Sequence, residues 1–321
     1  MTQTEVRMKA ILGLDIGGTK ILGVLYDENG DIIGREKKKT KANEGLEIVI
    51  GQVFKVIDNL LEINEIELDR IGVGVPGIIN ESGVVTFSPN IPFRDFNLSG
   101  LLSDKYHVST YIGNDVNVAM FGEYKHLKDE KIKNVLGVFV GTGIGGASII
   151  DGKLYVGQGS AGEFGHMVVN ADGAYCGCGA QGCLEAYASK TALQKYILKQ
   201  IGKGRKTILE DALNESGAIL KSSDLRKAYD QLDAVGLEAV ERCARYLGIA
   251  IGTLVNLYHP QVIILGGGII EALGEVLLGK IIDESKQHAM PGLMGDVSFR
   301  ISEMGDDAGV FGAYELSKVM L

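Results

Sequence analysis

The sequence predicts an α/β protein of two lobes that face a shared ligand cleft. One observation is a repeated order of elements. Residues 9–38 read as strand, glycine turn, strand, Asn-Gly turn, strand (AILGLDI, ILGVLYD, DIIGREKK). Residues 134–158, NVLGVFVGTGIGGASIIDGKLYVGQ, repeat that order with an Asp-Gly turn, as a duplicated chain would. Length is the second observation, since 321 residues exceed the usual size of one domain. The third is 45 glycines, about double the average share, which implies tight turns and close backbone approach to a ligand.

Taken in order, Met1–Arg7 read as a loose extension before the first strand. Leu46, Ile50, Val53, Ile57 and Leu60 recur at helical spacing, so a helix over Gly45–Leu61 covers the first meander. IGVGVPG, Ile71–Gly77, reads as a buried strand ending in a turn, and Ser88-Pro89-Asn90 falls in a loop. TYIGNDV then reads as a strand running into a helix over Val116–His126, with its N-terminus at Asn114-Asp115. Helical patterns dominate from Ser189 to His259 and end in a long helix over Ala234–Tyr258, where Cys243 is a small core residue. Gln261–Leu265 is a short buried strand, followed by Gly266-Gly267-Gly268 and another helix. The last helix, Asp307–Val319, opens beside two aspartates that suit a helix N-terminus. The expected boundaries are a small lobe of 1–115, completed by 307–321, and a large lobe of 116–306 with a cysteine-rich loop.

Composition removes several function classes. A net charge of -9 argues against nucleic acid as a partner, because phosphate backbones need basic surface. The most apolar run, Val135–Ile150, is cut by five glycines and is too short to span a membrane. Asp15 interrupts the first apolar run too early for a signal peptide. Four cysteines, three of them clustered, fit a reducing compartment, and the expected location is cytoplasmic.

That cluster lies in AGEFGHMVVNADGAYCGCGAQGCLEAY, Ala161–Tyr187. Cys176, Cys178 and Cys183 with His166 supply soft ligands suited to a closed tetrahedral zinc site. A Cys-x-Cys pair is poorly placed for a disulfide. Four protein ligands leave no open position, so the metal is structural. Its expected role is to hold a binding wall of Glu163, His166 and Glu185, with the second ring nitrogen of His166 turned to a ligand.

Asp15-Ile16-Gly17-Gly18-Thr19-Lys20 lies between two strands, where backbone N–H groups can face a phosphate and Thr19 and Lys20 add donors. Its spacing is not that of a P-loop. Asp15 suits Mg2+ held through water. Gly141-Thr142-Gly143-Ile144-Gly145-Gly146 is the matching turn of the second half, and two such turns suggest a nucleotide clamp. Gly266–Gly268 can admit the adenosine against bare backbone. Asp115, at a strand-to-helix junction, suits a proton acceptor for an alcohol in phosphoryl transfer, although an N-cap explains its position equally well. Asn90, Asn114, Asp115, Glu163, His166 and Glu185 form an acceptor-rich set that fits the hydroxyls of one small polyol.

With these motifs the chain resembles the ROK family, which groups bacterial sugar kinases with sugar-responsive repressors inside the actin-like ATPase superfamily. The resemblance runs from Asp15 to about Gly312 and is most specific at EFGH (163–166) and CGCGAQGCLE (176–185). It implies a two-lobed actin-like (ribonuclease H-like) fold, Asp115 as base, and a sugar bound by Gly77, Asn90, Asn114, Glu163, His166 and Glu185. It further implies zinc on His166, Cys176, Cys178 and Cys183, and ATP-Mg2+ at Asp15, Gly17, Gly18, Thr19, Lys20, Gly141, Thr142, Gly143, Gly267 and Gly268. A homodimer or homotetramer is the expected assembly. Family repressors carry a helix-turn-helix ahead of the first phosphate motif, and the position of Asp15 leaves no room for one. A scaffold or sensor would be expected to lose Asp115 or a phosphate turn, and this chain has both turns and the aspartate. The expected activity is therefore phosphorylation of the 6-hydroxyl of a hexose, with glucose first. SPNIPFRDFNL, Ser88–Leu98, resembles the glucokinase form of its loop but lacks a tryptophan near Phe93-Arg94. That departure leaves N-acetylglucosamine, N-acetylmannosamine and fructose as alternatives, and polyphosphate as an alternative donor.

Overall fold

The computed structural model describes residues 8–63, 66–213 and 219–319. The expected extension at Met1–Arg7 lies outside them. In chain order the elements open with β1 (Met8–Ile16), β2 (Lys20–Asp27), β3 (Ile32–Lys39), α1 (Leu46–Ile63), β4 (Ile66–Val75), β5 (Ile78–Ile79), β6 (Val84–Phe87) and β7 (Arg94–Asn97). Next come α2 (Leu98–Tyr106), β8 (Ser109–Asn114), α3 (Asp115–His126), β9 (Val135–Val140), β10 (Ile144–Ile150) and β11 (Lys153–Tyr155). Then follow α4 (Glu185–Ala188), α5 (Lys190–Ile201), α6 (Leu209–Leu213), α7 (Ser222–Asp230) and α8 (Ala234–Tyr258). The chain closes with β12 (Val262–Gly266), α9 (Gly268–His288), β13 (Ser298–Ile301) and α10 (Asp307–Val319).

Unit 1 comprises the described residues of Met1–Glu130, Leu154–Ala161 and Glu303–Leu321. Its main sheet has the order β3-β2-β1-β4-β8. β1 and β2 pair antiparallel, as do β2 and β3, whereas β1–β4 and β4–β8 are parallel. The first turn closes with Gly17 N–H donating to Lys20 O. In the second, the Asp27 carboxylate accepts from the Asn29 and Asp31 amides, and Gly30 takes a φ of 87°. α1 buries Val49, Val53, Val56, Ile57 and Leu60 against the sheet strands. A small β5-β6-β7 sheet, α2 and, in unit 2, β13 were not expected. Strands of two to four residues are too short to show a period of two.

The C-terminal helix α10 packs on β1, β4 and α3. A Cβ on Gly72 would lie 1.9 Å from the Ala313 carbonyl oxygen, and one on Gly312 would lie 1.8 Å from that of Val118. Part of the glycine excess therefore serves backbone-to-backbone packing, where the sequence suggested ligand approach. The same packing keeps α3 inside unit 1, so this unit runs to Glu130 and does not end at Asp115. Tyr26 stacks on Tyr314 with ring centroids 4.4 Å apart.

Unit 2 comprises the described residues of Lys131–Lys153 and Gly162–Ser302. Its sheet has the order β11-β10-β9-β12-β13. β10 and β9 pair antiparallel, while β9–β12 and β12–β13 are parallel. The first strand of each unit thus sits centrally, with its meander on one side and two parallel strands on the other. The duplication suggested by two glycine-turned meanders extends to all five strands. α8 buries one stripe, Val240, Cys243, Ala244, Leu247, Ile251 and Leu254, in a core shared with α9. Cys243 is 1% exposed and reads as core, as expected. Among the described residues no helix is long and apolar enough to cross a membrane.

A Gly312→Val substitution is expected to lower the thermal midpoint, because the branched side chain must displace α10 from α3. The overpacking cost is about 1–3 kcal/mol, measurable by urea or thermal denaturation.

Candidate active site

In unit 1 the parallel register gathers the candidates at one end of the sheet. Asp15 pairs with Gly74, Gly74 with Gly113, and Val75 with Asn114. The ends of β1, β4 and β8 therefore bring Asp15, Gly77 and Asn114-Asp115 to the edge where open α/β sheets take their ligands. Asn114 is the cap of α3. Its side-chain oxygen accepts from the Val116 and Asn117 amides, and its Nδ2 donates to the Gly77 carbonyl at 3.0 Å. Asp115 is instead the first residue of the helix, so the cap falls to Asn114. The committed Asn114 amide keeps one N–H for a ligand.

The DIGGTK turn is tied down from both sides. Thr40 is fully buried, its hydroxyl donates to Gly17 O, and its amide donates to Thr19 O at 3.0 Å. A Cβ on Gly18 would meet Asn90 Cβ at 3.0 Å, so the exposed Asn90 loop lies directly against the turn. Phe93 anchors that loop by burying itself and stacking on Phe96 at 5.1 Å. Lys20 forms an ion pair with Asp306, so a phosphate would have to compete with that carboxylate for its ammonium. Lys20 and Lys37 both lower the pKa of Asp306, with the Lys20 hydrogen bond the main cause. Burial, then the Asp115 charge, pushes the Asp15 carboxyl up to about 7, against an opposing pull from Lys20. Glu123, 3% exposed, accepts the Glu303 and Met304 amides and so fixes the approach to α10. Thr40, Glu123 and Asp306 escaped the sequence reading. Only Asp306, in the aspartate pair before the last helix, left a signal there.

Unit 2 holds the second glycine turn, the cysteine-rich loop and the Gly266–Gly268 segment. Phe139 pairs with Gly266, so Gly141 and Gly267 emerge from adjacent parallel strands. Gly267 adopts a φ of 85° against Val140, where a Cβ would lie 2.7 Å from the Val140 oxygen. Lys190 N–H donates to Gly141 O at 2.9 Å and Thr191 Oγ1 to Thr142 O at 2.8 Å, fixing the turn on the start of α5. Glu185 is half-buried, and its Oε2 accepts the Ile144 amide at 2.9 Å. A Cβ on Gly143 would come within 2.5 Å of that oxygen. Glu185 thus supports the glycine turn as well as facing the loop.

The ligand atoms of His166, Cys176, Cys178 and Cys183 lie within 4.8 Å of one another. Cys178 and Cys183 sulfurs are 3.8 Å apart, the edge of a tetrahedron with arms of about 2.3 Å. His166 turns Nδ1 to Cys176 Sγ at 3.7 Å, and Nε2 lies 3.9 Å from the exposed Glu163 carboxylate. All four cysteines are free thiols. Burial pushes Cys183 up to about 12 and raises Cys176. Tyr187 holds the loop, accepting the Ala174 amide at 2.6 Å. The donor set and its spacing fit zinc.

Residues 11–319 match the ROK family. The chain belongs to the ROK family. It is 33% identical to a glucokinase of Halalkalibacterium halodurans over 96% of this chain and 94% of that one. It is 30% identical to a xylose repressor of Caldicellulosiruptor bescii over 97% of this chain and 79% of that protein. A ROK family glucokinase from Streptomyces griseus, solved in complex with glucose and AMPPNP, superposes with a TM-score of 0.78 at 30% identity, over 96% of this chain and 99% of that one. The α/β fold is therefore the actin-like ATPase fold of ROK kinases.

The raised pKa of Asp15 gives a testable sign. Its favourable contribution is complete below its ordinary value of 3.8 and is lost as pH rises through about 7. Asp15→Asn is therefore expected to be more stable than the parent at pH 8, with the difference closing near pH 4. Paired thermal melts across that range check it.

Proposed function

We propose that the protein transfers the γ-phosphoryl group of ATP to the 6-hydroxyl of a hexose, with glucose as the preferred acceptor. The observation that carries this reading is in unit 1. Asn114 fills the cap, and Asp115 stands at the start of α3, electrostatically coupled to Asp15 beside the DIGGTK turn. Membership of a family containing glucokinases, and the likeness to a structure solved with glucose and AMPPNP, support the reaction and the substrate.

In this mechanism the Asp115 carboxylate accepts the proton of the sugar 6-hydroxyl. The O6–phosphorus bond forms as the bond between the γ-phosphorus and the bridging oxygen breaks, and ADP leaves. A loose transition state asks chiefly for alignment and charge stabilisation. The backbone at Gly17–Gly18 and Gly141–Gly143 supplies amides to the phosphates, with Thr19, Lys20 and Thr142 adding side-chain donors. Gly267 and Gly268 give the adenosine a bare backbone surface. Asp15 would hold Mg2+, which would supply positive charge against the charge developing on the phosphates. Sugar hydroxyls are bound by Asn90, Asn114, Glu163, His166 and Glu185, with the Gly77 segment alongside. His166, Cys176, Cys178 and Cys183 would hold a structural zinc, which would keep Glu163, His166 and Glu185 in place without taking part in the chemistry.

The test is ADP release with ATP-Mg2+ over glucose, fructose, mannose, N-acetylglucosamine and N-acetylmannosamine. Turnover is expected to be strongest on glucose, and Asp115→Asn is expected to lower kcat by roughly 10²–10⁴-fold while sugar still binds. Turnover confined to an acetylated sugar would overturn the substrate and keep the mechanism. Sugar binding with no turnover on any acceptor would favour a regulator, the role carried by the repressors of the family.

The metal has its own check. Elemental analysis of the purified protein is expected to give one zinc per chain, and Cys178→Ser to reduce it. Chelation should lower the thermal midpoint as well as sugar affinity. Full sugar affinity in a zinc-free, folded protein would remove the metal from the site.

A further inference from the structure

Unit 2 carries a cavity of about 650 Å3, lined by α5, α8, the cysteine-rich loop and Thr142 and Gly143 of the glycine turn. Its charge is one-sided. Lys195, Lys199 and Lys203 line it from α5 and the turn that follows, and Arg242 lines it from α8. Among the described lining residues, Glu185 is the one carboxylate, and it is engaged with the Ile144 amide. Lys195 and Lys199 lie four residues apart on α5, so their stems leave one face about 6 Å apart, and Lys203 follows in the turn beyond. Neither they nor Arg242 enter an ion pair among the described residues.

Arg242 is the decisive member. Its guanidinium lies 4.8, 5.4 and 5.0 Å from the ring centroids of Tyr187, Tyr196 and Tyr246, and its Nε is buried without a hydrogen-bond partner. Glu238, four residues earlier on α8, is its natural partner in the favoured order along a helix. Arg205 occupies both Glu238 oxygens at 2.5 and 2.7 Å, and the Tyr196 hydroxyl donates to one of them at 2.7 Å. These bonds hold the Glu238 carboxyl down at about 2 and keep it from Arg242. Glu241 is likewise taken by Lys280. A guanidinium fixed by aromatic rings and left unpaired beside a row of ammonium groups is a charge pattern that phosphate groups complete. A zinc–thiolate cluster nearby would carry one net negative charge, and cations would still be in excess.

We propose that this cavity binds a multiply phosphorylated small anion, held by Lys195, Lys199, Lys203 and Arg242 between α5, α8 and the cysteine-rich loop. The inference does not rest on the sugar-kinase reading. Its chemistry is shared by an inorganic oligophosphate chain and a bisphosphorylated metabolite.

The experiment is calorimetric titration of the full chain with tripolyphosphate and, separately, with a hexose bisphosphate. Saturable binding by either is expected, and the tighter of the two names the source. In Lys195→Ala/Lys199→Ala the anion affinity is expected to fall about tenfold or more, while the affinity for Mg2+-AMPPNP stays within about twofold. Arg242→Gln is expected to weaken the anion similarly, and the exposed lysine pair keeps the test valid should that variant fail to fold. A control, Lys206→Ala/Lys227→Ala, removes equal charge from the surface elsewhere in unit 2 and should bind as the parent does. Equal loss in the control, no binding of either anion, or parallel loss of anion and nucleotide in the lysine variant would each overturn the proposal.

Discussion

Because β1, β4 and β8 run parallel and in register, three segments far apart in the chain end at one edge of the unit 1 sheet. Everything proposed for that unit depends on this constraint. A slip of one residue in either pairing would turn Asp15 or Asn114 to the opposite face, since side chains alternate along a strand. α10 packs on β4 so closely at Gly72 that no side chain fits between them. Unit 2 uses the same device with fewer parts, bringing Gly141 and Gly267 out of neighbouring parallel strands.

Polar groups at these strand ends hold the backbone around them in place. Asn114 spends its side chain on the helix cap and on Gly77 O, so the next residue, Asp115, need not serve as the cap. Thr40 pins the first glycine turn, while Lys190, Thr191 and Glu185 pin the second. Fixing the backbone in advance is what lets amide donors stabilise charge without reorganising. Asp15 illustrates the cost of such crowding: burial and a second carboxylate make its ionised form unfavourable, against a partial offset from Lys20.

The cysteine-rich loop gathers four soft ligand atoms from nearby sequence. Cys176, Cys178 and Cys183 lie in one short stretch closed by backbone bonds, including Cys176 N–H to Ala180 O at 2.8 Å. His166 arrives from the preceding turn, and Tyr187 ties the loop to the core. Glu185 then links this loop to the second glycine turn through Ile144. Order in the loop and order in the turn are thereby coupled through one side chain.

What the sequence determined by itself was everything carried by short spacing. The two glycine turns, the Cys-x-Cys-x4-Cys cluster with its histidine, the long helix of Ala234–Tyr258 and the terminal helix of Asp307–Val319 are local signals, and the structure forms them where those signals lie. Tertiary structure decided the rest. That Asn114 both caps α3 and donates to Gly77, 37 residues away, appears only once the strands are paired. That Lys20 is held by Asp306, and that Arg242 is left without an acid because Arg205 has taken Glu238, depends on groups that meet only after folding. Glycines such as Gly72 and Gly312 look like turn formers in a linear string, yet they serve as contact points because another backbone lies against them. Periodicity records which face a residue occupies on its own element, and it carries no record of the neighbour that will compete for a charge or fill a space.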